Sequence, residues 1–188
     1  MTSKETFRTI VAKRKHAMVD SQSLSQRIIQ NLQTVPEFAN CNIFMTYVDF
    51  GKEVRTFPLI KSQIKEKRIV IPYCEQNEIC LFLLKKLDEL AVGYFGILEP
   101  KIELRRLTDR KIDVDELQVV LVPGVAFDRQ GGRVGRGQGF YDRFLEKLPK
   151  KTLTIGLAFD FQVFDEVPMT SKDQRLNLIV SETGVYRP

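Results

Sequence analysis

The sequence predicts an α/β fold: a single three-layer domain over residues 1–188, with a mostly parallel central sheet flanked by helices. Three observations predict it. Short, almost wholly apolar runs of strand length recur at 42–48, 68–73, 117–128 and 153–159. Segments with helical spacing separate most of them, and a strand that is apolar on both faces needs helices on both faces. The composition, 43% hydrophobic and 28% charged over 188 residues, suits one packed core.

Taken in order, residues 3–20 and 22–34 read as helices, with Phe7, Ile10, Val11, Ala17 and Met18 on one face of the first. Asn42 to Val48 reads as a buried strand, followed by a polar loop with Gly51 and a helix from Thr56 to Lys67. A second buried strand, 68–73, is ended by Pro72, and Ile79 to Leu84 is another. Glycines and a proline mark 92–100 as loop. The strongest strand is 117–128, stopped by Pro123-Gly124. A helix from Gln138 to Leu148, a strand at 153–159 and a last strand at 178–180 complete the chain, with no internal repeat or low-complexity linker.

Composition also excludes classes of function. No apolar stretch approaches the roughly 18–20 residues that span a bilayer, and the start, Met1-Thr2-Ser3-Lys4-Glu5, lacks the apolar core of a signal peptide. A cytoplasmic protein with no membrane partner is therefore expected. Cys41, Cys74 and Cys80 are odd in number and fit no metal spacing, so they read as idle thiols. His16 is the single histidine; alone it cannot build a typical zinc site, and most Ser–His and Cys–His hydrolases are excluded with it. The net charge of +5 is spread along the chain among 24 acidic residues. That distribution favours a small anionic ligand over nucleic acid.

Six of the eleven glycines fall between Gly124 and Gly139, in "VPGVAFDRQGGRVGRGQGFYDRFL" (122–145). The segment leaves the best strand and enters a helix, the place where open α/β sheets bind ligands. Backbone N–H groups in such a loop approach an anion closely, and the helix start adds partial positive charge. Arg133 and Arg136 add two permanent cations whose planar donors match phosphate oxygens. Neither GxxxxGK[ST] nor a GxGxxG after the first strand is present, so this is neither a P-loop nor a dinucleotide fingerprint. Lys4 and Arg8 stand four apart on the first helix, beside the Phe7/Val11 stripe; by spacing alone they read either as a solvated helix end or as cations that reach a cleft while their stems pack. Arg14 lies nearer the middle of the apolar arc and needs a partner or a ligand.

The glycine segment resembles the signature of the 5-formyltetrahydrofolate cyclo-ligases. Lys4-x-x-x-Arg8, "GKEVRT" (51–56), "GYFGILEP" (93–100) and "VPMTSKD" (167–173) lie in that family's order across essentially the whole chain. The resemblance implies an α/β enzyme that uses ATP and Mg²⁺ to cyclise 5-formyltetrahydrofolate to 5,10-methenyltetrahydrofolate; a monomer is expected, although the sequence itself does not reveal the oligomeric state. It places ATP on Lys4, Glu5, Thr6, Phe7 and Arg8, and on Arg133, Val134, Gly135, Arg136, Gly137, Gln138, Gly139, Phe140 and Tyr141. It places the folate on Val48, Glu53 and the Arg136, Gly137, Gln138, Gly139, Phe140 stretch, with Glu53 on the pterin and Tyr94, Phe95 and Ile97 as walls. Lys4, Arg8 and Arg136 are the implied catalytic cations, and Asp142 and Asp173 the implied metal ligands. Three positions depart from the pattern: Phe140 stands where tyrosine is frequent, Gln138 where glycine or lysine is, and Asn177 where aspartate is common. The reaction implied is transfer of the γ-phosphoryl group to the formyl oxygen, followed by displacement of phosphate by N10. It needs alignment and charge neutralisation and no histidine.

Overall fold

Residues 3–93 and 96–188 are described by the computed structural model. Helix α1 (Lys4–Ala17) begins where the Ser3 hydroxyl accepts from the Thr6 N–H, and it buries Phe7 and Val11. Helix α2 (Ser21–Gln33) is capped in the same way by Asp20 and buries Ile28 and Leu32. A short α3 (Pro36–Ala39) follows, which the sequence pattern did not reveal; Pro36 opens it and Phe38 anchors it. Then come β1 (Ile43–Met45), α4 (Phe57–Gln63), β2 (Arg68–Glu75) and β3 (Glu78–Leu84). Gln76 and Asn77, with φ of 49° and 63°, make the tight turn between β2 and β3.

The segment 92–100 is not all loop. Its end is strand β5 (Leu98–Pro100), paired antiparallel with β4 (Leu90–Val92), so the glycines serve a hairpin. The segment 117–128 is two strands, β6 (Val119–Val122) and β7 (Ala126–Asp128), divided at Pro123-Gly124. Both halves are fully buried, so hydrophobicity alone could not mark the change of sheet. Strand β8 (Arg133–Val134), α5 (Phe140–Glu146), β9 (Leu153–Leu157), β10 (Val163–Phe164), β11 (Leu178–Ser181) and β12 (Gly184–Tyr186) complete the described elements.

The main sheet has the order β12-β11-β9-β6-β1-β2-β3. Strands β2, β1, β6, β9 and β11 are parallel, and β3 and β12 are antiparallel edges. Counting only the parallel strands in chain order, the arrangement is 2-1-3-4-5, with the switch point between β1 and β6. One sheet face, through Phe44, Ile69, Ile71, Val119 and Leu121, packs on Ile28, Leu32, Leu59 and Ile60 of α2 and α4. The other, through Met45, Val70, Val120 and Val122, packs on Phe144 and Leu145 of α5. This alternation is the three-layer architecture read from the sequence, seen residue by residue. A small sheet, β10-β7-β8, lies beyond β6, and α1 packs on it through Phe7 and Val11 against Ala126, Val134 and Val167. Among the described residues, no helix is long and apolar enough to cross a membrane.

Candidate active site

A cleft of about 800 Å³ opens where β1, β2 and β6 end, at the crevice that the 2-1-3 strand order creates. Several stretches of chain wall it. The segment after β1 contributes Tyr47, Val48, Phe50 and Glu53; the end of β2 contributes Tyr73 and Cys74; the 97–99 stretch contributes Ile97, Leu98 and Glu99. The glycine loop contributes Pro123, Gly124, Arg133 and residues 135–143, while α1 and residues 170–174 close the remaining side.

The glycine loop is held in shape from below by Asp128, 1% exposed. Its Oδ1 accepts from the N–H groups of Gly132 at 2.7 Å and Gln130 at 3.0 Å, and its Oδ2 accepts from Val167 N–H at 3.0 Å. Sequence reasoning missed this residue. The signal was available: an aspartate closing an apolar strand just before paired glycines is an Asx-turn pattern. Two glycines are dictated by conformation. Gly137, at φ +106°, passes so close to Arg8 that a Cβ would lie 3.3 Å from its Nη2, and Gly139, at φ +69°, forms the left-handed entry to α5.

Four of the cations that line the cleft are already engaged. Lys4 Nζ donates to both oxygens of Asp173, at 2.5 and 2.6 Å. Arg8 Nε donates to the Gly135 carbonyl at 3.0 Å, and its Nη1 pairs with Glu5 at 2.9 Å. Arg133, only 3% exposed, gives Nη2 to Asp142 at 2.6 Å and Nη1 to the Pro123 carbonyl at 3.3 Å. Its Nε is buried with no partner among the described residues. Arg136 bridges the cleft, its Nη2 donating to Glu53 Oε1 at 2.6 Å, while Glu53 Oε2 accepts from Phe50 N–H at 3.1 Å. A further cation, Lys15, lies beside this pair: burial pushes its amine below the usual lysine value, Glu53 pulls it up and Arg136 pushes it down. Sequence reasoning did not single out Lys15, although the spacing from Arg8 places it two turns along the same helix.

The apolar side of the cleft is aromatic. Burial first, and then the Glu53 carboxylate, push the Tyr47 and Tyr141 phenols far above their usual range, so both rings are neutral walls. Tyr47 hydroxyl donates to the Val54 carbonyl at 3.2 Å, and the Arg133 guanidinium stands 5.8 Å from the Tyr141 ring centre. Asp173 is set oppositely. Burial raises its carboxyl, but hydrogen bonds from Lys4 and from both donors of Thr170 win and hold it below the usual aspartate range.

Of the residues singled out in the sequence, the structure brings Lys4, Arg8, Val48, Glu53, Ile97, Arg133, Gly135, Arg136, Gly137, Gln138, Gly139, Phe140, Tyr141, Asp142 and Asp173 to this one cleft. Glu5, Thr6, Phe7 and Val134 are not among its lining residues. Phe7 is packed edge-on to Phe164 at 4.8 Å, Val134 is in the core beneath the loop, and Glu5 reaches the site only through Arg8. Tyr94 and Phe95 lie outside the described residues. Arg14 has a partner of its own: it donates to the Phe161 carbonyl at 2.7 Å and stands over the Phe164 ring. Asn177 holds the sheet, its Oδ1 accepting from Thr154 N–H at 2.8 Å and Thr154 hydroxyl at 2.9 Å. Among the described residues, no three His, Cys, Asp or Glu side chains cluster as a metal cage. A divalent ion would therefore take one or two carboxylates and complete its shell with ligand oxygens and water.

The chain is similar to known proteins over nearly its whole length. The model of the 5-formyltetrahydrofolate cyclo-ligase family matches residues 1–182. A probable 5-formyltetrahydrofolate cyclo-ligase of Schizosaccharomyces pombe is 32% identical, over 90% of this chain and 88% of that protein. The 5-formyltetrahydrofolate cyclo-ligase of Escherichia coli K12 is 29% identical, over 94% of this chain and 99% of that one. The solution structure of Aquifex aeolicus 5,10-methenyltetrahydrofolate synthetase superimposes with a TM-score of 0.85 at 34% identity, covering 98% of this chain and 92% of that one. By a match over nearly its whole length, the chain belongs to the 5-formyltetrahydrofolate cyclo-ligase family.

Proposed function

We propose that this cleft holds both substrates of the ATP-dependent cyclisation of 5-formyltetrahydrofolate and carries it through a phosphorylated formyl group. One observation carries the reading: a wall of cations and a wall of aromatic rings share one crevice, and the Arg136–Glu53 pair joins them at 2.6 Å. The triphosphate lies against Lys4, Arg8, Arg136 and the backbone of residues 135–139. The reduced pterin lies against Val48, Tyr47 and Tyr141, with Glu53 accepting from ring N–H groups.

In the first step the formyl oxygen attacks the γ-phosphorus. The bond from that phosphorus to the bridging oxygen breaks, and its electrons leave with ADP. The N10 lone pair then attacks the formyl carbon, N10 gives up its proton, and the carbon–oxygen bond breaks to release phosphate and leave the methenyl bridge. The chain's contribution is alignment and charge. Lys4 leaves Asp173 for a phosphate oxygen, and Arg136 leaves Glu53 when the pterin takes that carboxylate, so it becomes available to the γ-phosphoryl oxygens as they gain charge. Arg133 has both Nη groups occupied, so it acts on the phosphates as a buried fixed charge and as the holder of Asp142.

Mg²⁺, when bound to the phosphates, supplies positive charge at the departing oxygen. Asp142 fits as its protein ligand: it faces the cleft, and among the described residues only its Oδ1 is paired. Asp173 fits second, since both its oxygens are engaged until Lys4 moves. The test is product accounting. Purified protein with 5-formyltetrahydrofolate, Mg²⁺ and ATP is expected to form the methenyl compound and ADP in equal amounts. ADP release indifferent to the folate would contradict the reading.

A further inference from the structure

Besides Glu53, Asp142 and Asp173, the cleft contains a further firmly held carboxylate that the proposed reaction does not use. Glu99 lines the cleft from β5, on the wall formed with Tyr73 and Cys74. Its Oε2 is clamped by Arg105 Nη2 at 2.9 Å. Arg105 is itself fixed twice over: Nε donates to the Pro100 carbonyl at 2.9 Å, and the guanidinium stands 4.6 Å above the Tyr73 ring. Gly93 clears space for the carboxylate, since a Cβ there would come within 2.8 Å of it. The hairpin that carries Glu99 also passes near the Glu53 loop, since a Cβ added at Gly96 would lie 3.8 Å from the Phe50 ring.

A carboxylate held this firmly in a cleft constrains what can lie beside it. The pair is one-fifth exposed on the Glu99 side and 15% on the Arg105 side. A ligand that covers it removes the remaining water and must offer a donor in return, or the desolvation is uncompensated. Phosphate oxygens offer none and are repelled. A reduced pterin does, since its N–H groups lie on more than one edge of the ring.

We infer that Glu99 is a second substrate-binding carboxylate, positioned by Arg105, which accepts a hydrogen bond from a ring N–H of the reduced pterin while Glu53 accepts from another. The inference rests on the two-substrate reading of the cleft. It makes the β4–β5 hairpin a determinant of substrate specificity, and it assigns Arg105 as a positioning residue that never touches the folate.

The test measures KM for each substrate separately. Glu99→Gln replaces an accepting oxygen by a donor, and the loss of one charge-assisted hydrogen bond is expected to raise the KM for 5-formyltetrahydrofolate about ten- to a hundredfold. The KM for ATP is expected to stay within about twofold. Arg105→Gln leaves the carboxylate in place but unclamped, and the same split is expected at smaller size. If Glu99→Gln does not fold, Glu99→Asp keeps the charge and withdraws it by one methylene, with the same split expected. Folded variants in which both KM values hold, or both rise together, make the pair a brace of the hairpin and overturn the inference. A wild-type protein without folate-dependent turnover overturns the reading of the cleft itself, and is a different result from an active wild type with an indifferent Glu99→Gln.

Discussion

Asp142→Asn separates two things that this residue does. In the folded protein Asp142 neutralises Arg133, whose side chain is 3% exposed against 24% for the carboxylate. Removing one member of a fully buried pair costs about 3–5 kcal/mol. Asp142 is a quarter open to water and asparagine retains an accepting oxygen, so a cost of about 2 kcal/mol is expected here. For a chain of this length that corresponds to a fall in Tm of roughly 4–8 °C. The same substitution removes the charge that attracts a hard cation, so half-maximal rate should require much more free Mg²⁺ at saturating ATP. The assay is thermal unfolding without ligands, set beside activity against free Mg²⁺. Arg133→Met with Asp142→Asn completes a cycle: the double variant is expected to recover part of the Tm, because no uncompensated charge remains, and none of the Mg²⁺ response. An unchanged Mg²⁺ requirement would reduce Asp142 to the partner of Arg133. An unchanged Tm would refute the argument from burial.

Further outcomes follow from the same geometry. Ala at Lys4 or Arg8 is expected to raise the KM for ATP about ten- to a hundredfold, with little loss of Tm, because both side chains are partly exposed; normal ATP binding in both variants would remove α1 from the nucleotide site. Asp173 has a folded carboxyl value below the ordinary 3.8, so its pairing stabilises the fold above that value and is lost as pH falls through the lower one. The Tm difference between wild type and Asp173→Asn should therefore be level from neutral pH to about pH 5 and close below about pH 4. A difference that instead closed near pH 6 would mean that another group is titrating.

Much of this was legible in the sequence, and the exceptions have physical causes. The three-layer fold followed from apolar runs whose alternate residues serve opposite faces, as Ile69, Val70 and Ile71 do. The glycine loop was legible because its backbone conformation restricts residue type, as at Gly137 and Gly139. What stayed hidden was long-range. Pro-Gly in "LVPGVAFD" marks a break, but nothing there shows that β7 joins another sheet than β6, because both are buried and only their partners differ. The hairpin 90–100 depends on pairing that three-residue strands hardly signal. Ion pairs such as Arg136–Glu53, 83 residues apart in sequence, leave no local trace. The family resemblance singled out Lys4 and Arg8, which line the cleft, together with Glu5, Thr6 and Phe7, which are not among its lining residues, because spacing on a helix does not show which face meets a cleft.

The central claim is that the cleft aligns the formyl oxygen with the γ-phosphorus of ATP, so that this oxygen leaves as part of phosphate. The direct measurement labels the formyl oxygen of 5-formyltetrahydrofolate with a heavy isotope, turns the substrate over with Mg²⁺ and ATP in ordinary water, and weighs the inorganic phosphate released. One labelled oxygen in each phosphate is the predicted result. Phosphate with no label, formed together with the methenyl product, would mean that ATP is spent on water or on the enzyme and that the formyl oxygen departs by another route.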